Sequence, residues 1–248
     1  MSEEVTSEAA LLSSRVRRYV LFDRVNRPYQ QWQVSRFLPH LGRRILEIGC
    51  GVGGIIDLLP QRDLVVGVDI DEEVLAYAAK RHRGRGECRF ERMDLSAITG
   101  DELTRLSALR IDTILCMNLL EHIEDDLSAL RTMRSILVPG GVIALLVPAH
   151  PSLYGAYDQA DGHFRRYRKV ELEDKLRRAG LLPGRLQHFN AVGAVGWWVK
   201  YKLVRSKIHG STDFHLMNTL LPIVERLEGV LAPPFGLSLT TVARRDGL

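Results

Sequence analysis

Glu47 stands at the end of the apolar run Ile45-Leu46-Glu47-Ile48, and behind it come Gly49, Gly51, Gly53 and Gly54, four glycines in six positions. A buried strand that ends in an acid and turns through glycines into a helix is built to lay a ligand directly on main-chain atoms, because only glycine takes the required φ values and lets the backbone approach that closely. Gly49, Gly51 and Gly54 also fit the G-x-G-x-x-G spacing in which a helix N-terminus receives a pyrophosphate. Glu47 discriminates between the two. A carboxylate beside the turn repels a pyrophosphate but suits a nucleoside that carries an ammonium or sulfonium charge. That description fits S-adenosylmethionine better than NAD.

Further acids follow at strand ends. The run 64–69 is apolar and closes on Asp69, about 20 residues beyond the loop, where a ribose-binding carboxylate is expected. Asp71 reads as the start of the next helix. A third short strand over 90–95 carries Asp94, which either accepts the adenine amino group or is an ordinary loop acid. Cys50, Ile70 and Leu95, adjoining these positions, complete the expected cofactor contacts.

The spacing of Glu47, the glycine turn, Asp69 and Asp94 resembles the class I S-adenosylmethionine-dependent methyltransferases. The stretch 111–123, which contains Met117-Asn118-Leu119-Leu120-Glu121-His122, is similar to the post-strand segment of the quinone-biosynthesis type of small-molecule methyltransferase. The likeness covers roughly residues 41–180. It implies an α/β Rossmann-like fold, a seven-stranded mainly parallel sheet with helices on both faces and an antiparallel last strand. It also implies S-adenosyl-L-methionine as cofactor, Met117 and Asn118 beside the adenosine and methionine, and His122 on the first turn of the next helix.

Two segments exceed a minimal cofactor domain and are expected to hold substrate, since ligands of open α/β sheets bind beyond the carboxyl ends of the strands. The first, 154–167, resembles a D-x-x-x-G-H-x-R-R-Y signature of a metabolite-modifying subset of these enzymes. His163 is the expected general base, imidazole being able to take a proton near neutral pH. Asp158, Tyr157 and Tyr167 are expected to orient the nucleophile. Arg165 and Arg166 either bind a carboxylate or phosphate through paired donors or belong to a solvated face shared with Glu171, Glu173 and Asp174. The second segment, 190–202, carries Trp197 and Trp198, which suit a planar or lipid-like substrate; oligomer contact or core packing is the competing reading.

The elements that must position these residues follow from pattern. Two helices, 7–25 and 28–38, are expected before the core, Pro28 marking the second start. Leu11, Leu12, Val16, Tyr19, Val20 and Phe22 recur at helical spacing among Arg15, Arg17, Arg18 and Arg24, so this segment reads as a cap over the cofactor, with a basic amphipathic membrane contact as the alternative. Tyr29 or Trp32 then touches ligand or simply packs. Helices over 125–137 and 170–179, strands over 142–147 and 186–189, a later helix over 216–231 and alternation over 237–243 complete a regular α/β order. The expected organisation is one domain over 1–248: a helical cap (1–40), a cofactor core (41–189), a helical insertion (190–235) and a final strand (236–248).

Of the 248 residues, 46% are hydrophobic and 26% charged, as in a domain with a substantial core. Lys plus Arg exceed Asp plus Glu by 34 to 30, too small a margin to require nucleic acid. The start Met-Ser-Glu-Glu lacks signal-peptide features and no apolar run approaches the ~18 residues of a spanning helix, so a cytoplasmic protein without stable membrane insertion is expected. Cys50, Cys88 and Cys116 read as buried thiols, and His209 and His215 lack further ligands at metal spacing; no metal is expected. The function expected is methyl transfer to an oxygen, nitrogen or carbon of a small, hydrophobic or anionic metabolite, with a homodimer compatible. The competing classes are a methyltransferase acting on RNA or protein, an NAD-dependent oxidoreductase, and a protein that binds the cofactor without catalysis.

Overall fold

The computed structural model describes residues 12–203, 211–230 and 232–247. Its centre is five parallel strands, β1 (Arg44–Ile48), β2 (Leu64–Asp69), β3 (Cys88–Arg92), β4 (Thr113–Met117) and β5 (Val142–Pro148), lying in the order β3-β2-β1-β4-β5. Strands covered on both faces must be apolar on both, and Ile45, Leu46, Val65, Val66, Ile114, Leu115 and Leu145 are all wholly buried. The chain steps outward from β1 through β2 to β3, then returns to β4 on the other side. That reversal opens a crevice at the carboxyl ends of β1 and β4, where open α/β sheets bind ligands.

Helices cover both faces. On one, α1 (Ser14–Ser35) brings Trp32 and Val34 onto Ile45, Leu115 and Leu146. On the other, α4 (Asp126–Ile136) and α6 (Lys169–Arg178) set Leu130, Met133, Leu172 and Leu176 against Leu46, Ile114 and Leu145. Between these lie α2 (Glu72–Arg81), α3 (Gly100–Ala108) and the short α5 (Ala156–Ala160). Asp71 caps α2, accepting from the backbone N–H of Glu73 and of Val74, as its position before the helix suggests.

The far edge is more divided than a seven-stranded reading implies. β8 (Ser238–Arg245) runs antiparallel to β5, while β6 (Leu181–Pro183) and β7 (Gln187–Phe189) both pair antiparallel with β8. The strand expected over 186–189 is β7, and β6 is a further short piece ahead of it, which makes eight strands among the described residues; between the two, Gly184 N–H donates to the Val242 carbonyl. After β7 come α7 (Ala191–Trp197), a π-helical turn over Trp198–Leu203, and α8 (Ser211–Val230), which packs Leu221 and Val224 beside α1. Leu11, His209 and Leu231 lie outside the described residues, as does the expected helix start at residue 7.

Two local expectations are corrected. Pro28 does not divide two helices; it sits inside the continuous α1. A proline there removes the N–H that would bond the Arg24 carbonyl, and on the same turn Asn218 Nδ2 of α8 donates to the Val25 carbonyl at 2.9 Å, a tertiary contact that ties this part of α1 to α8. Nor does the glycine turn open into an α-helix. Residues 51–55 are turns, followed by a single 3-10 turn, Ile56–Leu58, because the glycines favour coil and Pro60 stops the chain almost at once. No described helix is long and apolar enough to cross a membrane.

Candidate functional site

The glycine turn at the carboxyl end of β1 takes left-handed φ values at Gly49 (77°), Gly51 (50°) and Gly53 (76°). These let it fold back on β2: Gly49 and Cys50 N–H donate to the Val68 carbonyl at 2.8 and 3.0 Å, and Gly51 N–H donates to Asp69 Oδ2 at 2.9 Å. Asp69 Oδ1 accepts from Asp71 N–H at 3.1 Å, so this carboxylate is fixed at the crevice with further lone pairs to offer.

Glu47 is 3% exposed and its Oε2 has no partner among the described residues. Burial, then the neighbouring charges of Asp69, Asp23 and Asp57, push its carboxyl well above the usual range. An orphaned buried acid is costly unless a cation meets it. From α1, Tyr19 lies over Gly51, where an added Cβ would stand 3.5 Å from Tyr19 Cδ1, and Asp23 pairs with Arg81 at 2.8 Å. The first helix therefore covers the turn. Beyond Asp69, Ile70 is 64% exposed beside a cleft of about 350 Å³ bordered by Arg15, Asp71, Glu72 and Arg92.

The remaining expected cofactor residues fall around the same crevice or behind it. Met117 ends β4 half-buried, Asn118 is exposed at φ 50°, and His122 belongs to a 3-10 turn (Leu120–His122), not to the longer helix that follows. Asp94 is exposed and caps the turn Leu95–Ala97, accepting from Ser96 N–H at 2.8 Å. Leu95 and Cys50 are buried in the two core clusters.

His163 stands at the centre of a second constellation. Its Nδ1 meets Asp158 Oδ1 at 3.1 Å, its Nε2 meets Asp161 Oδ2 at 3.2 Å, and its ring packs edge-on against His122 at 4.5 Å. Burial alone lowers this imidazole, but the bonds to Asp158 and Asp161 and the charge of Glu121 outweigh it and raise it to about 9. Asp158 is wholly buried, accepting from Gly155 N–H at 2.9 Å and Arg166 Nε at 2.8 Å. Tyr157 packs edge-on against Trp197 at 5.1 Å, and burial and the charges of Asp161 and Asp158 push its phenol up to about 12.

Three expectations for this loop need correction. Arg166 is buried, committed to Asp158 and stacked under the Trp197 ring at 4.5 Å; Arg165 holds Asp126 Oδ2 at 2.8 Å and the Glu124 carbonyl at 2.7 Å. Both guanidiniums meet carboxylates of the chain itself, Arg166 in the interior and Arg165 at a partly exposed position. Tyr167 is fully buried and donates to Asp126 Oδ2 at 2.9 Å, with burial and that carboxylate raising it far above the ordinary phenol, so it anchors the loop and cannot orient a nucleophile. Asp126 also accepts from Lys175 Nζ at 2.7 Å. Asp126→Asn removes the negative charge that Arg165, Tyr167 and Lys175 share and leaves them one acceptor oxygen, and we expect a loss of about 2–4 kcal/mol, read as a melting temperature lower by roughly 5–10 °C.

Sequence reasoning missed Glu121. It is wholly buried, neither carboxylate oxygen has a partner among the described residues, and burial pushes it to about 7. The Glu121 carbonyl accepts from Phe164 N–H at 2.8 Å, which brings two loops together. Glu121, His122 and His163 then offer one ligand atom each, all within 4.8 Å of one another, an arrangement that could hold a metal ion. The adjacent pair Glu121-His122 was the available signal, but its third member comes from a separate loop.

The expected aromatic contacts divide. Tyr29 OH accepts from Asn190 Nδ2 at 3.1 Å and packs at 5.9 Å from both Trp32 and Phe189, while Trp32 is core. Trp197 Nε1 donates to the Leu153 carbonyl at 3.3 Å, and Trp198 is 51% exposed.

Residues 46–143 match the methyltransferase-domain family. Among curated proteins, the chain is similar to the ubiquinone biosynthesis O-methyltransferase of Pseudomonas aeruginosa (strain LESB58), 30% identical over 115 residues, covering 46% of this chain and 48% of the relative. That of Aeromonas salmonicida (strain A449) is 32% identical over 116 residues, covering 46% and 47%. The chain spans about half the length of the curated relatives it matches. Among solved structures, an S-adenosylmethionine-dependent methyltransferase from Mesorhizobium loti superposes with a TM-score of 0.57 at 20% identity, covering 87% of this chain and 98% of that one. The [4+2]-cyclase SpnF superposes with a TM-score of 0.58 at 18% identity, covering 89% and 80%. At such identities the likeness shows the fold.

Proposed function

We propose, from the premise that residues 46–143 form a methyltransferase domain of the class I S-adenosylmethionine-dependent type, that the chain transfers a methyl group from S-adenosylmethionine to an oxygen, nitrogen or carbon nucleophile of a small metabolite. The observation that carries the reading is Glu47, a buried carboxylate with an unpartnered oxygen behind a turn of left-handed glycines. The residues present fit the cofactor. Glu47 would meet its positive amino-acid end, the glycine turn would offer it main-chain atoms, and Asp69 would take the ribose hydroxyls. Ile70, Leu95 and Asp94 would hold the base, with Met117 and Asn118 at the end of β4. When bound, S-adenosylmethionine supplies an electrophilic methyl group on a sulfonium.

Holding the acceptor in line removes much of the barrier, and a base matters mainly for protic acceptors. His163, braced by Asp158 and Asp161, is the residue we assign to that proton. At neutral pH the imidazole is largely protonated, so the free-base form that accepts a proton is the minority species. The test is incubation with S-adenosylmethionine and a panel of small acceptors, read by release of S-adenosylhomocysteine and a one-methyl mass gain. Binding without product from any acceptor supports the non-catalytic alternative, which the fold's occurrence in a cyclase keeps in view.

A second reading of the proton step is favoured by the Glu121, His122 and His163 cluster, which could place a divalent cation against an acceptor oxygen. The two separate cleanly. If His163 works as a base, EDTA leaves turnover unchanged; if the cluster works as a cation site, EDTA abolishes turnover and Mg²⁺ or Mn²⁺ restores it.

A further inference from the structure

The sequence over 190–212 differs from the rest of the chain in charge. It contains no acid, although the chain carries 30, and it holds Lys200, Lys202, Arg205 and Lys207 within eight positions. Its first part, α7 and the start of the π-helical turn, also turns apolar side chains outward. Val192, Val195 and Val199 recur three and four apart on one face, and Val192, Val195 and Trp198 are 42%, 51% and 51% exposed. Phe235, 43% exposed, joins them: with Ala194, Val195 and Trp198 it lines an open apolar cavity of about 230 Å³. These residues therefore form one patch. Single exposed apolar residues are ordinary, whereas a contiguous patch beside charge of one sign marks a surface that is covered in use.

Charge decides what covers it. A second copy of the chain would set the same patch, and with it the same basic run, against itself across a twofold axis, and the like charges would repel. An anionic bilayer surface offers what both parts of the segment need, phosphates for the lysines and hydrocarbon for the valines. Trp198 suits that boundary, since an indole buries an apolar body while its N–H stays at headgroup level. The other candidates fit less well. On α1, Arg15 meets Asp71, Arg17 the Leu12 carbonyl and Arg27 the Gly54 carbonyl, so these cations fasten the helix to the chain itself. The last turns of α8 expose Ile223 and Leu227 but carry Glu225 and Glu228 against one base, Arg226. We propose that the α7 patch, with the basic run that follows it in sequence, docks reversibly on an anionic lipid surface, Val195 and Trp198 entering the headgroup boundary. The segment lies on the bilayer and does not span it. Trp197, packed on Arg166 and Tyr157, stays with the interior. Docking is independent of the methyltransferase reading.

The experiment mixes the full chain with vesicles of phosphatidylcholine, with or without phosphatidylglycerol, and follows co-sedimentation and tryptophan emission. Wild type should bind the phosphatidylglycerol vesicles with a blue shift, ignore pure phosphatidylcholine, and dissociate as salt is raised. Lys202→Ala with Lys207→Ala should weaken binding by about 10- to 30-fold. Trp198→Asp should weaken it by about tenfold or more at the wild-type melting temperature, and where that variant melts early, Val195→Asp repeats the test from α7. Trp198→Phe should keep most of the binding and lose most of the blue shift, which places the indole itself in the lipid. Leu21→Asp, on the exposed face of α1, should bind as wild type does. Equal binding to both kinds of vesicle, wild-type binding by a folded Trp198→Asp, or loss of binding in Leu21→Asp overturns the proposal. So does absence of vesicle binding, and a self-association that Trp198→Asp abolishes would then assign the patch to a second copy. Vesicle binding by a chain that takes up no S-adenosylhomocysteine would overturn the methyltransferase reading and leave the docking surface intact.

Discussion

Glu47→Gln will weaken binding of S-adenosylmethionine by about 2–4 kcal/mol, roughly 30- to 1,000-fold, while making the ligand-free protein more resistant to alkaline unfolding. The two effects share one origin. Glu47 is buried, one of its oxygens has no partner among the described residues, and the surrounding acids Asp69, Asp23 and Asp57 add repulsion. Its folded pKa lies above its unfolded value, so the stability it contributes is present below the ordinary carboxylate range and is lost as pH rises through the raised value. Glutamine keeps the shape and does not titrate. Thermal melts of the two proteins should therefore agree in mild acid and diverge upward for the variant as pH increases. Calorimetric titration should show the opposite ranking for ligand affinity. A variant that binds as tightly as wild type would remove Glu47 from the cofactor site.

His163→Ala will lower turnover on a protic acceptor by about 10²- to 10³-fold at saturating cofactor and leave cofactor affinity within about twofold. The pH profile supplies the sign. With the imidazole raised to about 9, roughly one molecule in a hundred carries the free base at pH 7. Wild-type turnover should accordingly climb about tenfold per pH unit above neutrality and level off near pH 9. The same shift means that stability gained from the charged ring is complete below its unfolded pKa and lost as pH rises through about 9. A flat wild-type profile between pH 7 and 9, or a variant with normal turnover, would exclude His163 as the base.

The parallel strands and the glycine turn were legible because their signals are local. A doubly buried strand must be a run of Val, Ile and Leu, so β2 ends where its apolar run meets Asp69, and a turn that needs left-handed φ must be glycine. What escaped depends on contacts across the chain. Pro28 looked like a helix boundary because Asn218, which bonds the Val25 carbonyl, lies on a distant helix. Arg165, Arg166 and Tyr167 looked like a polar loop. Asp126 and Asp158 draw all three inward, and no periodicity over 154–167 encodes that. Glu121 read as one acid in a resembled segment until the loop after α5 folded His163 against it. The insertion showed its aromatic residues plainly, but not that Trp197 would cover Arg166 while its neighbour Trp198 edges a separate cavity.

The central claim is that a buried acid behind the glycine turn recognises an adenosine carrying a positive amino-acid end. Isothermal titration of the folded protein with S-adenosylmethionine, S-adenosylhomocysteine and NADH tests it most directly. We expect saturable heat with the first two and none with the third. Heat with NADH alone would contradict the assignment.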